Sequence, residues 1–216
     1  LRDPLAGRLR LGIIPTLAPY LLPLIFEPLR EALPALKVEP WEDQTATLLA
    51  RLRAHELDAA LLATEVIGSD LASRPLFEPF LAALPPDHPL AAREVVAEAD
   101  LAPDILVLAD GHCLRDQALT ACGRSGPLGD ALRATSLSTL LNMVAAGYGT
   151  TLVPALAAGA AQDAGIVLRP LAARTVRTVC IAWRTRFPQR AASEAVGDVI
   201  ARRLSGFAEG AAAGLV

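Results

Sequence analysis

The chain of 216 residues is 53% hydrophobic, which is enough to form one large domain or two smaller lobes. Its net charge of −3 at pH 7 gives no indication of a nucleic-acid-binding surface. Its three cysteines and three histidines show no CxxC or HxxxH spacing, so we expect no metal site and no dense disulfide framework, and we expect no cofactor.

The amino-terminal segment, residues 1–8, is polar and irregular and suits a linker that follows an upstream domain. The chain begins with Leu1 and has a single methionine, Met143, so we expect a fragment or a processed product. Two uncharged stretches, Leu11–Phe26 and Ala134–Gln162, are interrupted by prolines or polar residues and are not predicted to span a membrane. No signal-peptide pattern opens the chain, and we expect a cytoplasmic protein.

The first part of the chain alternates strands and helices, and this order predicts a parallel sheet whose carboxyl edge faces a ligand. Thr16 and Thr45 follow predicted strands at that edge, and Cys113 follows a later strand. This common placement favours a shared cleft, although a turn or helix-capping role explains both threonines equally simply. The predicted elements are the strand Leu9–Ile14, the helix Pro19–Arg30, the strand Leu36–Trp41, the helix Leu48–His55 and the strand Leu57–Ala63.

Two later strands are predicted to pass between lobes. Arg74–Leu84 is long enough to cross, and Arg177–Trp183 is expected to return. Cys180 lies in the middle of the return strand and is predicted to be buried as a small hydrophobic residue. The other predicted elements are a short helix and connection over Ala91–Leu101, the strands Ile105–Ala109, Thr150–Val153 and Ile166–Leu168, a helix Leu137–Ala146 between a cap at Thr135 or Ser136 and Gly147, a helix Ala191–Leu204, and a frayed end at 207–216.

The segment Asp110–Cys122 carries the most specific chemistry. Gly111 permits a tight turn after the strand, and Leu114–Ala121 favours a short helix, so Cys113 is predicted at a helix N-terminus. The unpaired N–H groups and the helix dipole there favour a thiolate, which is the reactive form of cysteine. His112 and Arg115 add positive potential, whereas Asp110 and Asp116 oppose it.

Cys122 lies nine positions after Cys113 (122 − 113). A continuous helix holds two residues so spaced about 13 Å apart, whereas a disulfide needs Cα atoms about 4.4–6.8 Å apart. If this helix forms, the two thiols can join only after it unwinds or its neighbours move, and oxidation would then force the change of shape that a redox switch requires. The Gly-rich segment Gly123–Gly129 can absorb such a rearrangement. The alternative is that both cysteines are buried and inert.

The sequence DGHCLRDQAL, followed by a cysteine nine positions after the first, resembles the redox loop of the OxyR family of LysR-type transcription regulators. The similarity runs from about Gly7 to about Ser205, while 123–132 departs from the family in detail. Further matching segments begin at Gly12, Pro19, Arg133, Asn142 and Thr151.

The resemblance implies an α/β fold: a two-lobed, periplasmic-binding-protein-like (type 2) regulatory domain, with two Rossmann-like lobes joined by two crossover strands. Lobe I would comprise 9–77 plus 183–216, and lobe II would comprise 78–182 with the redox loop. The winged helix-turn-helix DNA-binding domain that precedes the regulatory domain in this family has no counterpart in the chain.

The resemblance also implies the chemistry. Cys113 would be the peroxidatic cysteine, which hydrogen peroxide oxidises to a sulfenic acid, and Cys122 would resolve it by forming a disulfide. Hydroxyl and imidazole groups can hold peroxide and stabilise the departing hydroxide. The implied peroxide pocket is Thr16, Thr45, His112 and Cys113, with Arg115 and Asp116 supporting the loop.

The same resemblance implies the partners. We expect a homodimer (a tetramer at full length), binding of DNA through the missing domain, contact with RNA polymerase to activate antioxidant genes, and reduction by glutaredoxin or thioredoxin-type proteins. Neither an enzyme nor a membrane protein is expected.

Two other functions stay open. The chain could be a LysR-type domain that binds a small metabolite in the interlobe cleft and has incidental cysteines. It could instead be a thiol peroxidase. The two cysteines at the family spacing argue against the first, and the expected two-lobed fold argues against the second.

Overall fold

The computed structural model describes residues 3–124 and 133–212, with side chains described as far as residue 207. These residues form two compact units. Unit 1 runs as far as Phe77 and resumes at Thr178–Gly206, and unit 2 is Glu78–Arg177 together with the described residues from Phe207 to Ala212. Two of the three changes of unit fall inside long strands, Leu71–Leu84 and Val176–Arg184, and the third falls inside the final helix. Two strands therefore contribute to both units.

The unit bounds differ in part from the predicted lobes. The change at Phe77 falls where lobe I was predicted to end, but the second change lies at Arg177 and not at residue 182. The described residues from Phe207 to Ala212 cluster with unit 2, although 183–216 were predicted for lobe I. The predicted linker 1–8 also differs, because Gly7 and Arg8 already pair with the neighbouring strand.

Unit 1 begins with the predicted alternation of strands and helices. Strand β1 pairs in parallel with β2 on one side and with β3 on the other, which confirms the parallel sheet. Leu9, Leu11 and Ile13 of β1 are completely buried and anchor its core. The bounds are β1 Gly7–Ile13, α1 Ala18–Ala32, β2 Leu36–Glu42, α2 Thr45–Arg53 and β3 Ala59–Leu62.

Unit 2 is built on the far end of β4 (Leu71–Leu84), which pairs antiparallel with β7 and β8. A second, two-stranded parallel sheet, β5–β6, carries a helix after each of its strands. The further bounds are two 3-10 helices, Pro89–Ala92 and Glu98–Asp104, then β5 Val107–Leu108, α3 Cys113–Ala121, β6 Arg133–Ala134, α4 Leu137–Ala145, β7 Thr151–Pro154, a 3-10 turn Ala155–Ala157, α5 Ala158–Asp163 and β8 Val167–Pro170.

The chain returns to unit 1 along β9 (Val176–Arg184), which pairs antiparallel with β3. The final helix, α6, spans Arg190–Ala212. The prediction of a frayed end from residue 207 is therefore wrong for 207–212, and 213–216 lie outside the described residues. The predicted flexible segment lies outside them as well, except for Gly123 and Arg124.

The helix predicted within Ala91–Leu101 is wrong. Val96 donates its N–H to the Pro170 carbonyl at 3.0 Å and accepts from the Ala172 N–H at 2.9 Å. These bonds form a β-bridge between Val96 and Leu171, so the Val96 backbone is not available for a continuous helix. The chain forms a short 3-10 helix before Val96 and another after it. Helix α5 was not predicted, because three of its six residues are alanine and its sequence shows no amphipathic spacing.

Unit 2 contains one fully buried ion pair close to where both long strands enter it. Arg177 Nη2 lies 2.7 Å from Glu78 Oε2, and both side chains are 0% exposed. Glu78 Oε1 also accepts the Leu156 N–H at 2.9 Å. The buried carboxylate thus has both a charged partner and a backbone donor, which offsets the cost of removing it from water.

Candidate redox site

Cys113 is the first residue of α3, as predicted. The strand before it, β5, is buried, and the chain turns at Gly111, whose φ of +94° is a conformation that glycine adopts without strain. His112 is the N-cap residue, and its side chain makes no capping hydrogen bond. The first-turn N–H groups beside the half-buried Cys113 are therefore not satisfied by that side chain, which leaves a site that favours negative charge.

Arg115 organises the turn before the helix. Its Nε lies 3.0 Å from Asp110 Oδ1, and Arg133 Nη1 lies 3.5 Å from Asp110 Oδ2. The Arg115 side chain is only 12% exposed, whereas the Asp110 side chain is 75% exposed. Asp110 was expected to oppose a thiolate, but two guanidinium groups offset its charge. Asp116 lies exposed in the first turn of α3.

Cys122 occupies a different environment at the other end of the same helix. It is the C-cap residue of α3 and is only 2% exposed. Burial raises the pKa of its thiol to about 11, with a further contribution from the negative charge of Glu98 and an opposing one from Arg124. None of Cys113, Cys122 and Cys180 is in a disulfide. The intact helix between Cys113 and Cys122 corresponds to a separation of about 13 Å.

Thr16 and Thr45 belong to unit 1, whereas the other predicted site residues belong to unit 2. Thr16 lies in the turn after β1 and is 3% exposed; the N-cap of α1 is Leu17, so Thr16 does not cap that helix. Thr45 is the first residue of α2 and is partly exposed. Both threonines follow the carboxyl ends of parallel strands, as predicted. Their action together with Cys113 stays a prediction from the family resemblance.

Two residues with a bearing on Cys122 were not predicted. Glu98 is buried in the second 3-10 helix, where it accepts from the Thr175 hydroxyl at 2.6 Å. Arg124 follows α3, and its Nη1 donates to the Ala102 carbonyl at 2.7 Å. Both contacts join residues more than twenty positions apart, so periodicity and spacing carried no signal for them.

Cys180 is buried in β9, and its Sγ lies 3.4 Å from the Thr64 carbonyl oxygen, which confirms the predicted structural role. Across 3–124 and 133–212, no helix is long and apolar enough to cross a membrane. Within the same ranges, His, Cys, Asp and Glu side chains form no group of three that could hold a metal ion.

Comparisons with known proteins agree with this geometry. Residues 2–205 match the LysR substrate binding domain family. The hydrogen peroxide-inducible genes activator of Pectobacterium carotovorum is 42% identical over 212 residues, which cover 96% of this chain and 70% of that protein.

Two solved structures extend the comparison to the fold. The reduced form of OxyR is 41% identical with a TM-score of 0.84, covering 94% of this chain and 98% of that one. The oxidized form of OxyR is 42% identical with a TM-score of 0.80, covering 94% of this chain and 99% of that one. The predicted two-lobed regulatory fold is confirmed, and the chain belongs to the LysR substrate binding domain family, within the group of OxyR regulatory domains.

Proposed function

We propose that this chain is the hydrogen-peroxide-sensing regulatory domain of a LysR-type transcription activator, in which Cys113 reacts first and Cys122 second. One observation carries the proposal: a single nine-residue helix has a half-buried cysteine at its start and a sealed cysteine at its end. This asymmetry supports the proposed order of reaction, because Cys113 is the more accessible of the two thiols to peroxide and to a base while the helix is intact.

In the first step, the Cys113 thiolate attacks one oxygen of hydrogen peroxide and the O–O bond breaks. The sulfur is oxidised to a sulfenic acid, and the departing hydroxide takes up a proton to become water. The N-terminal end of α3 favours the anionic sulfur before attack, and Arg115 and Arg133 offset the negative charge of Asp110, which would otherwise oppose it.

In the second step, the sulfur of Cys122 attacks the sulfur of the sulfenic acid. The S–O bond breaks, and the Cys122 proton leaves with the hydroxide as water. Because the pKa of Cys122 is raised to about 11, this thiol is protonated at neutral pH and is a poor nucleophile where it lies. It must therefore leave its buried position, and unwinding of α3 provides both the exposure and the change of shape.

The roles of Thr16, Thr45 and His112 belong to the same proposal and come from the family resemblance. Two hydroxyl groups and an imidazole can donate to the departing hydroxide and accept hydrogen bonds from peroxide. Arg115 holds the loop through Asp110, and Asp116 is assigned a supporting place in the first turn. A Thr16→Val variant should slow oxidation without unfolding the domain.

The partners follow from the same reasoning. We propose that the disulfide changes how homodimers assemble into a tetramer on DNA, which is bound through a winged helix-turn-helix domain outside this chain. The oxidised form would then engage RNA polymerase in the bacterial cytoplasm. Thiol reductants of the glutaredoxin or thioredoxin class would restore the free thiols.

Mass spectrometry of alkylated protein after brief exposure to substoichiometric peroxide tests the proposal. For each peroxide consumed, the wild-type protein should lose two thiols and gain one Cys113–Cys122 disulfide within a single chain. Cys113→Ser should lose this response, Cys122→Ser should accumulate sulfenic acid, and Cys180→Ser should behave as wild type. Survival of both thiols in wild type at low micromolar peroxide would refute the function.

A further inference from the structure

We infer that Gly123 and Arg124 are positioning residues that hold Cys122 in place and set the rate at which it is released towards Cys113. The inference rests on the proposed function for its redox consequence, but the release of Cys122 can be measured without peroxide. It explains how the second step is timed, which the two cysteines by themselves do not.

The carboxyl end of α3 is closed by a two-bond cap. Gly123 donates its N–H to the Thr120 carbonyl at 3.0 Å, and Arg124 donates its N–H to the Leu119 carbonyl at 2.9 Å. Gly123 lies in the left-handed region with a φ of +67°. This is the Schellman arrangement, in which a left-handed residue follows the C-cap. Since the C-cap is Cys122 itself, that residue cannot move away from the helix end while both bonds persist.

The side chain of Arg124 adds a tertiary tie to the cap. Its Nη1 donates to the Ala102 carbonyl at 2.7 Å, so it connects the end of α3 to the 3-10 helix Glu98–Asp104. The same 3-10 helix contributes Glu98, whose charge acts on the Cys122 thiol. The helix end and the surroundings of the thiol are therefore fixed to each other, and opening one loosens the other.

Gly123 allows this cap to be weakened without disturbing its packing. A Cβ placed on Gly123 would meet no atom of the described residues within 4 Å. Alanine at this position therefore costs free energy because it must adopt the left-handed backbone conformation, and not because it clashes with a described neighbour. Asparagine adopts that conformation more readily than alanine does. The series glycine, asparagine, alanine is expected to weaken the cap in graded steps.

The chain also offers a matched control at the end of α4. Gly147 has a φ of +81° and donates to the Val144 carbonyl at 2.9 Å, and Tyr148 donates to the Met143 carbonyl at 3.1 Å. A Cβ on Gly147 likewise meets nothing within 4 Å among the described residues. Gly147→Ala therefore makes the same change to the same cap on a helix that carries no cysteine.

Alkylation of Cys122 in a Cys113→Ser background measures the release directly. Gly123→Ala should accelerate Cys122 labelling about fivefold, which corresponds to about 1 kcal/mol of left-handed backbone cost. The Cys122 labelling rate of Gly123→Asn should lie between that of the parent protein and that of Gly123→Ala. Gly147→Ala should leave the Cys122 labelling rate unchanged. Labelling of Cys180, which is buried in unit 1, should not respond to any of them.

Stopped-flow oxidation then separates the two chemical steps. In Gly123→Ala, sulfenic acid formation at Cys113 should keep its wild-type rate while disulfide closure accelerates about fivefold. Arg124→Lys keeps the charge but loses the guanidinium bond to Ala102, and it should accelerate closure about two- to fivefold.

An unchanged Cys122 labelling rate in Gly123→Ala, or an equal acceleration in Gly147→Ala, would overturn the inference. Absence of sulfenic acid at Cys113 would refute the proposed function instead, and the labelling result would still decide whether the cap controls Cys122.

Discussion

Helices α3 and α4 are two versions of one structural unit, and their differences show how such a unit becomes reactive. Each spans nine residues, follows one strand of the β5–β6 pair and ends in the same glycine cap. The N-cap residue of α4 is Ser136, whose Oγ accepts the Thr139 N–H at 3.2 Å. The N-cap residue of α3 is His112, whose side chain forms no capping bond.

The two helices also differ in how much apolar surface they bury in the core. Four large aliphatic side chains of α4 are buried, whereas α3 buries Leu114 and Leu119 together with the small Ala118. Hydrophobic burial stabilises a helix roughly in proportion to apolar area, so α3 is the less firmly held of the pair. An N-cap residue without a side-chain bond and a smaller buried apolar surface therefore distinguish α3 from α4, and both features make α3 the easier of the two helices to unwind.

The largest expected effect is a loss of unfolding free energy at alkaline pH. It arises because the C-cap residue of α3 is Cys122, which has an ionisable thiol, whereas the C-cap residue of α4 is Ala146. The pKa of Cys122 is raised from 9.0 to about 11 in the folded chain. The unfolded thiol loses its proton first as pH rises, so the stability contributed by the buried neutral thiol is fully present below about pH 9 and is lost towards about pH 11. Wild type should lose up to about 2 kcal/mol of unfolding free energy over that range.

Urea unfolding at about pH 8 and about pH 10.5 measures this loss. Cys122→Ala is the reference, because the other titrating groups are unchanged in it, and it should lose less stability between the two conditions. Parallel losses in the two proteins would show that the thiol ionises as readily in the folded chain as in the unfolded one.

The next effect tests the start of α4. Ser136→Ala removes the capping oxygen and should lower the unfolding free energy by about 1 kcal/mol. Ser136→Asp retains an acceptor at the same place and should recover most of the lost unfolding free energy. Thermal unfolding of the wild type and of both variants measures this recovery. If Ser136→Ala proves neutral, the cap is not what distinguishes the start of α4 from that of α3.

The smallest effect extends the comparison to α2. This helix ends in the same two-bond cap, but its left-handed residue is His55, with a φ of 62°. His55→Gly should raise the unfolding free energy by about 0.5 kcal/mol, since relief of backbone strain is partly offset by the greater freedom of glycine when unfolded. His55→Ala keeps the strain and should give no gain; an equal gain from alanine would assign the effect to the imidazole.

Local signals in the sequence were sufficient for much of the fold. The turn at Gly111 and the helix formers after Cys113 located the start of α3, and the alternation in the first sixty residues predicted the parallel sheet of unit 1. The helix predicted around Val96 failed because a pairing with Leu171, far along the chain, takes up that backbone. Such long-range competition leaves no trace in spacing or composition.

The candidate site divides in the same way. The reactive position of Cys113 followed from a turn and a helix start, which are local features. The burial of Cys122, the charge of Glu98 beside it and the bond from Arg124 to Ala102 all depend on a 3-10 helix some twenty residues earlier. The sequence therefore indicated which thiol lies at the helix start, but not what surrounds and restrains the other.

The buried ion pair of unit 2 has a practical consequence for engineering. Glu78 and Arg177 begin and end the continuous part of the unit, and their charged groups lie 2.7 Å apart. Because their side chains are in contact, the two ends of the segment lie near each other, and such a segment is suited to insertion into a surface loop of another protein. We expect that grafting 78–177 into a fluorescent host would carry Cys113, Cys122 and their helix together, provided that the host shields the ion pair from water. Under the proposed function, such a graft would report oxidants.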